Sequence, residues 1–120
     1  MSYIIFENDR VFEFLITKGV VYTLRAFNRS TGVVKLKRSK SSKSIGLAKV
    51  ELVGNVKRVG DKYIVLTRNG ENYNLEEFLQ YSGFDSLAEW LCAFWKYYNR
   101  VNTIKLYKVT LIKLFYKFLF

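Results

Sequence analysis

Short runs of β-branched and aromatic residues, separated by turn residues, recur along this 120-residue chain. Such runs favour β-strands, and helices do not alternate regularly with them, which argues against a parallel doubly wound sheet. The runs are Tyr3–Phe6, Val20–Phe27, Val33–Arg38, Ile45–Val53 with Val56–Val59, Tyr63–Thr67 and Ile104–Ile112. We predict that the two fragments between Ile45 and Val59 form one long or kinked strand that is broken at Gly54-Asn55.

Helical patterns interrupt the strands near the N-terminus and before the last strand. Asn8 or Asp9 can cap a first helix that ends at Gly19. Asn74 can cap a short second helix, and Ser86 precedes a third that runs to about Tyr98. A chain of this length forms one domain. We therefore predict an α+β fold: a small β-barrel of five to six strands, with a helix near the N-terminus and a helical insert before the last strand.

Positive charge is concentrated in one part of the sequence. The net charge is +10, and nine lysines and arginines with no acidic residue lie between Phe14 and Val50. A segregated positive field favours polyanionic partners such as nucleic acid, nucleotides or an anionic membrane surface. We predict phosphate contacts for a basic strip whose members are Arg29, Lys35, Lys37, Arg38, Lys40 and Lys43. The alternative is a solvated basic hairpin.

Several classes of chemistry are excluded by composition. The chain has no histidine and only Cys92, so it has no Ser-His-Asp or Cys-His catalyst, no internal disulfide and no cysteine-rich zinc site. We predict neither a metal nor a cofactor. The sequence lacks a signal peptide pattern and an apolar span of about 18 residues, so we expect no transmembrane segment. We expect the protein to be located in the cytoplasm, or in the host cytoplasm if a virus encodes it.

Thr23 and Arg25 are two residues apart in a predicted strand, so they share one face. A hydroxyl beside a guanidinium can bind a base or a phosphate, with Tyr22 and Ser82 as further candidates for ligand contacts. Alternatively, Arg25 forms an ion pair with Glu77 or Glu89 and only joins the sheet to a helix. The aromatic residues between Phe78 and Tyr98 could stack on bases, but helical spacing predicts that most of them pack inward.

Three passages together resemble the ASCH domain family, whose fold is a PUA-like β-barrel. Val21-Tyr22-Thr23-Leu24-Arg25 is similar to the Gly-x-Lys-x-x-Thr-x-Arg segment of that family. The passage from Tyr81 to Leu91 resembles its Gly-Phe turn and capped helix, and Lys105–Ile112 resembles its closing strand. The resemblance, which would suit an archaeal-type or viral member, implies a cleft between the Thr-x-Arg strand and the helical insert that binds RNA or nucleotides.

The resemblance also implies an enzymatic alternative. Some ASCH domains are amidohydrolases that act on acylated cytidine with a lysine, a threonine and a glutamate. Here Thr23 matches the threonine, but Val20 stands at the lysine position, with Lys18 two residues away, and Ser82 or Gly83 stands at the glutamate position. We therefore predict nucleic-acid binding, to which Lys18 could contribute, rather than catalysis. The alternatives are a nucleoside amidohydrolase and a homo-oligomeric or adaptor protein.

The last residues form an apolar extension beyond the resemblance. We divide the chain into a domain of residues 1–112 and an extension of residues 113–120, KLFYKFLF. The extension is too apolar to remain in water. We predict that it packs on its own barrel or forms a homodimer, and membrane-surface binding is the alternative.

Overall fold

The computed structural model describes residues 2–98 and 103–115, which form an α+β fold with a mixed seven-stranded sheet. In chain order the elements are β1 Tyr3–Ile5, α1 Asp9–Lys18, β2 Val20–Arg25, β3 Gly32–Lys37, β4 Gly46–Val59, β5 Lys62–Leu66, β6 Asn72–Asn74, a 3₁₀ helix Leu75–Tyr81, α2 Leu87–Tyr97 and β7 Ile104–Leu114. The predicted α+β class, the N-terminal helix and the helical insert are confirmed. Asn8 caps α1 by accepting a hydrogen bond from the Val11 amide at 3.2 Å, and Ser86 caps α2 in the same way.

Strands β4 and β7 form the centre of the sheet. They pair antiparallel from Gly46 to Val56 of β4, while the other edge of β4 pairs first with β3 and then with β5. β1 lies parallel to β3, β2 lies antiparallel to β7, and β6 follows β5. The two predicted fragments form one continuous strand, β4, whose register against β7 shifts between Leu52 and Gly54, next to the predicted break. The sheet therefore forks at the point along β4 where the neighbouring strand changes from β3 to β5.

The described strands do not close into a barrel, and there are seven of them rather than the predicted five or six. β1 pairs with β3 and β2 pairs with β7, but no backbone ladder joins β1 to β2 in this part of the chain. A side chain spans the gap instead: Arg25 Nη2 donates a hydrogen bond to the Ile5 carbonyl at 3.0 Å. The sheet is therefore open at the seam between β1 and β2.

Each face of the sheet carries a hydrophobic core over part of its length. On one face, Val11, Phe12 and Leu15 of α1 pack among buried strand residues that include Val21. On the other face, the 3₁₀ helix and α2 form a second core that includes Leu24. Alternation along β2 explains this division, because Val21 and Leu24 point to opposite sides of the strand. Helix α1 thus covers part of one face, and the 3₁₀ helix and α2 cover part of the other face.

The predicted boundary between Ile112 and Lys113 falls inside β7. Leu114 is paired with Gly46, and the Phe115 amide donates to the Ile45 carbonyl at 2.9 Å. The first residues of the proposed extension thus belong to the central strand, while residues 116–120 lie outside the described part of the chain. No helix in residues 2–98 or 103–115 has the length and apolar content that crossing a membrane requires.

Candidate nucleic-acid interface

A cleft of about 480 Å³ opens between the end of β1, the edge of β2 and α2. Thr23 and Arg25 both line it, as their alternation in the strand predicts. The remaining lining residues are Ile5, Phe6, Glu7, Asn8, Val11, Leu24, Phe84, Trp90, Ala93, Phe94, Lys96, Tyr97 and Tyr98. The cleft therefore combines a mainly apolar wall with a hydroxyl, a guanidinium, an ammonium and a carboxylate.

One face of α2 provides the aromatic wall. Trp90, Phe94 and Tyr97 follow each other at helical spacing, so they stand on the same side of the helix. Trp90 and Phe94 are buried, whereas Tyr97 is 63% exposed. Helical spacing predicts that most of these aromatic residues pack inward, and Tyr97 at the open end of the stripe is an exposed one that remains free to stack on a base. Its polar tip at the end of an apolar stripe distinguishes it from the buried rings.

Arg25 is the best-placed charged group for binding in the cleft. Its guanidinium lies 4.9 Å from the centre of the Phe6 ring and donates to the Ile5 carbonyl. Loss of hydration lowers the pKa of Arg25 from its ordinary value, while the nearby Tyr98 opposes this shift and Arg29 adds to it. The surroundings thus disfavour the positive charge, and an anion in the cleft would relieve this.

The alternative role of Arg25, an ion pair with Glu77 or Glu89, is not seen among the described residues. Glu77 accepts a hydrogen bond from the Asn74 amide at 2.9 Å, and Glu89 is paired with Arg10 at 3.1 Å. Both carboxylates are therefore occupied at helix N-termini or in a surface contact. Within residues 2–98 and 103–115, Arg25 has no carboxylate partner.

Arg29 does not line the cleft but contacts Tyr98, which does. Its Nη2 donates to the Tyr98 hydroxyl at 3.0 Å, and its backbone amide donates to the Tyr107 hydroxyl at 2.8 Å. The Tyr98 ring in turn lies 5.1 Å from the Phe94 ring, centre to centre. Arg29 therefore orients a wall residue, which differs from the direct phosphate contact that its place in the basic strip predicts.

Three other predicted ligand residues do not line the cleft. Tyr22 points to the opposite side of β2, where its ring packs edge-on against Phe78 with 5.0 Å between ring centres. Ser82 is fully buried, and its hydroxyl donates to the Leu79 carbonyl and accepts from the Phe84 amide. Lys18 is exposed at the last turn of α1. Strand alternation accounts for Tyr22, and local turn bonding accounts for Ser82.

Some cations of the basic strip contact neighbouring side chains, and others are exposed to solvent. Arg38 forms an ion pair with Asp9, donates to the Phe6 carbonyl at 2.9 Å and lies over the Phe12 ring, so it attaches β3 to α1. Lys37 Nζ lies 4.5 Å from the centre of the Tyr3 ring. The exposed members of the strip are Lys35 on β3 and Lys40 and Lys43 in the loop that follows. These three are the most exposed cations of the strip.

Comparisons of this chain with protein-family models, with curated proteins and with solved structures find no match. Among the described residues, no three histidine, cysteine, aspartate or glutamate side chains come together in a group that could hold a metal ion. The function is therefore inferred from the cleft and from the distribution of surface charge.

Proposed function

We propose that this protein binds nucleic acid, with one base or phosphate group held in the cleft at Thr23 and Arg25. The observation that carries the proposal is a partly buried guanidinium that lines the cleft and has no carboxylate partner in the described residues. A charge removed from water costs free energy unless a counter-charge and hydrogen bonds compensate it. The planar donor fork of arginine matches phosphate oxygens, so a bound phosphate would supply both.

The walls of the cleft support a nucleotide rather than a simple inorganic anion. The exposed Tyr97 ring offers a stacking surface, and stacking of a base on an aromatic side chain contributes about 1–3 kcal/mol. The hydroxyls of Thr23 and Tyr98 offer hydrogen bonds to base edges or sugar. The volume of about 480 Å³ lies within the range of small-ligand sites. One nucleotide of a longer chain, turned out of its stack, would suit this site.

Replacing Arg25 by glutamine is expected to weaken binding of a labelled single-stranded RNA by about tenfold to a hundredfold, since a hydrogen bond to a charged group contributes about 1.5–3 kcal/mol. Arg25→Lys should recover only part of the affinity, because lysine keeps the charge but lacks the donor fork. Fluorescence anisotropy measures both changes. Arg68→Gln is the matched control, because Arg68 is exposed and the change in net charge is the same.

The melting temperature of each variant must accompany this titration, because Arg25 also bonds Ile5. If a folded Arg25→Gln protein binds as tightly as the wild type, then the cleft does not hold the nucleic acid.

We also propose kinship with the ASCH domains and, through them, a PUA-like ancestry. The order of an N-terminal helix, a Thr-x-Arg strand, a capped helix and a final strand supports it. The open seam between β1 and β2 is a departure from a PUA-like barrel. The proposed compartment is the cytoplasm, which suits the exposed free thiol of Cys92.

A nucleoside amidohydrolase is the second candidate function, and one observation favours it: the carboxylate of Glu7 and the ammonium of Lys96 line the same cleft as Thr23. Even so, we expect no release of cytidine from N-acylated cytidine above the uncatalysed rate. Glu7 is exposed at the rim, and Val20 replaces the lysine of the family pattern. Chromatography of the products measures the release. Turnover that is lost in both Glu7→Gln and Thr23→Val would establish the enzyme instead.

A further inference from the structure

Lysines from three adjacent strands lie on one face of the sheet, opposite to the face that α1 covers. Val34, Ala48 and Val109 are buried in the core beneath α1. Their sequence neighbours Lys35, Lys49 and Lys108 therefore point to the other face. Lys35 and Lys49 are exposed and Lys108 is partly exposed. The sheet thus displays positive charge where the 3₁₀ helix and α2 do not cover it.

These three lysines form a diagonal line across the sheet. Lys35 is paired with Leu47, two residues before Lys49, and Lys49 is paired with Thr110, two residues after Lys108. Diagonal neighbours on antiparallel strands lie about 7–8 Å apart. Lys37 extends the surface on β3, and Lys113, which is paired with Leu47, extends it on β7. We call the surface formed by Lys35, Lys37, Lys49, Lys108 and Lys113 the lysine face.

The lysine face has almost no compensating negative charge. Glu51 is the only acidic residue in strands β1, β2, β3, β4 and β7. It is paired with Lys108, so four of the five lysines have no acidic residue opposite them. Like charges directly opposite each other on a sheet destabilise it, and diagonal lysines repel each other in the same sense over a longer distance. This arrangement opposes folding in the free protein and favours a bound polyanion.

We propose that the lysine face is the docking surface for the sugar-phosphate backbone of a nucleic-acid strand, an inference that rests on the proposed function. The lysines form a row with a spacing of about 7–8 Å along the diagonal. A linear polyanion can lie along such a row, with phosphate groups close to each of the ammonium groups. An anionic bilayer fits less well, because adjacent strands are rotated by about 20–25° and the lysines of successive strands leave a common plane.

The test replaces Lys35, Lys49 and Lys108 together by glutamine and follows binding of a labelled single-stranded RNA between about 50 and 200 mM salt. Each lost phosphate contact lowers the slope of log K against log salt by about 0.7 for single strands, so we expect the slope to fall by roughly 2 and the affinity at 0.1 M salt to fall by about a hundredfold. The melting temperature should change little, because the variant removes repulsion between the lysines but also removes the attraction between Lys108 and Glu51.

A matched control removes three charges at the far end of β4. Lys57→Gln, Lys62→Gln and Arg68→Gln change exposed residues in and beside the β4–β5 hairpin by the same net charge and should leave the slope unchanged. A second variant, Lys40→Gln with Lys43→Gln, tests in the same titration whether the loop after β3 also contributes to the slope. An equal loss of slope in the hairpin control would overturn the inference, since only overall charge would then matter.

The remaining outcomes separate this inference from the proposed function. If the wild type binds RNA and the lysine-face variant keeps its slope and affinity, then the inference is wrong while nucleic-acid binding stands. If the wild type binds phosphatidylserine vesicles through these lysines but no nucleic acid, then both are wrong and the surface is a membrane-docking face. Absence of binding to either partner also overturns both.

Discussion

Replacing Gly54 by alanine is expected to destabilise this protein by about 3 kcal/mol or more, because the added methyl group would overlap the backbone of the adjacent strand. A Cβ at Gly54 would lie 2.3 Å from the carbonyl oxygen of Leu66 and 2.8 Å from its carbonyl carbon. Leu66 cannot withdraw easily, since it is paired with Asn55 on one side and Asn72 on the other. Thermal unfolding followed by circular dichroism should show a melting temperature lower by roughly 12 °C or more.

Gly60→Ala is the control for Gly54→Ala, because it lies in the turn of the same hairpin. Gly60 has a φ of 66°, which costs a residue with a side chain about 1–2 kcal/mol. However, no atom lies within 4 Å of the position of its Cβ. The control therefore carries only the conformational cost and should melt well above Gly54→Ala. Equal melting temperatures of the two variants would show that steric overlap at the fork of the sheet is unimportant.

Trp90→Ala is expected to cost about 3–5 kcal/mol, in the range for removing a large aromatic side chain from a core. Trp90 is 3% exposed and belongs to the core that holds α2 against the sheet, together with Leu24 and Leu106. It also lines the cleft, so its loss should weaken RNA binding as well as lower the melting temperature. Urea unfolding with and without RNA measures both effects.

Trp95→Ala provides the comparison within the same helix. Trp95 is 40% exposed and does not line the cleft, although its ring contacts Phe94. We expect a loss of about 1 kcal/mol, the contribution of one aromatic pair, and unchanged affinity for RNA. The interpretation of α2 as the cleft wall would fail if Trp95→Ala weakened binding as strongly as Trp90→Ala.

Local signals in the sequence predicted the elements well. Asn8 and Ser86 mark helix starts because their side chains accept hydrogen bonds from the first free amides. Gly54 marks the irregularity in β4 because the neighbouring strand comes too close for a Cβ. Thr23 and Arg25 could be placed on one face because strand alternation depends only on the chain itself.

Long-range pairing could not be predicted in the same way. The parallel pairing of β1 with β3 and the pairing of β2 with β7 join segments that no local signal connects. The closed barrel was therefore a wrong expectation, and Tyr22 was assigned to the cleft although alternation turns it away from Thr23. Lys49, Lys108 and Lys113 were left out of the basic strip because β4 and β7 become neighbours only in the folded sheet.

The position of β7 in the sheet has a consequence for how the chain folds during synthesis. β7 is the last described strand, yet it lies between β4 and β2 and carries much of both cores. Its partners in β2 are 80–90 residues earlier in the sequence, so pairing closes a long loop, which is characteristic of slow folding. Until residues 104–114 leave the ribosome, β2 has no neighbour in the sheet and one edge of β4 stays open. Until then the nascent chain exposes unpaired strand edges, and the native sheet forms only when β7 inserts between β4 and β2.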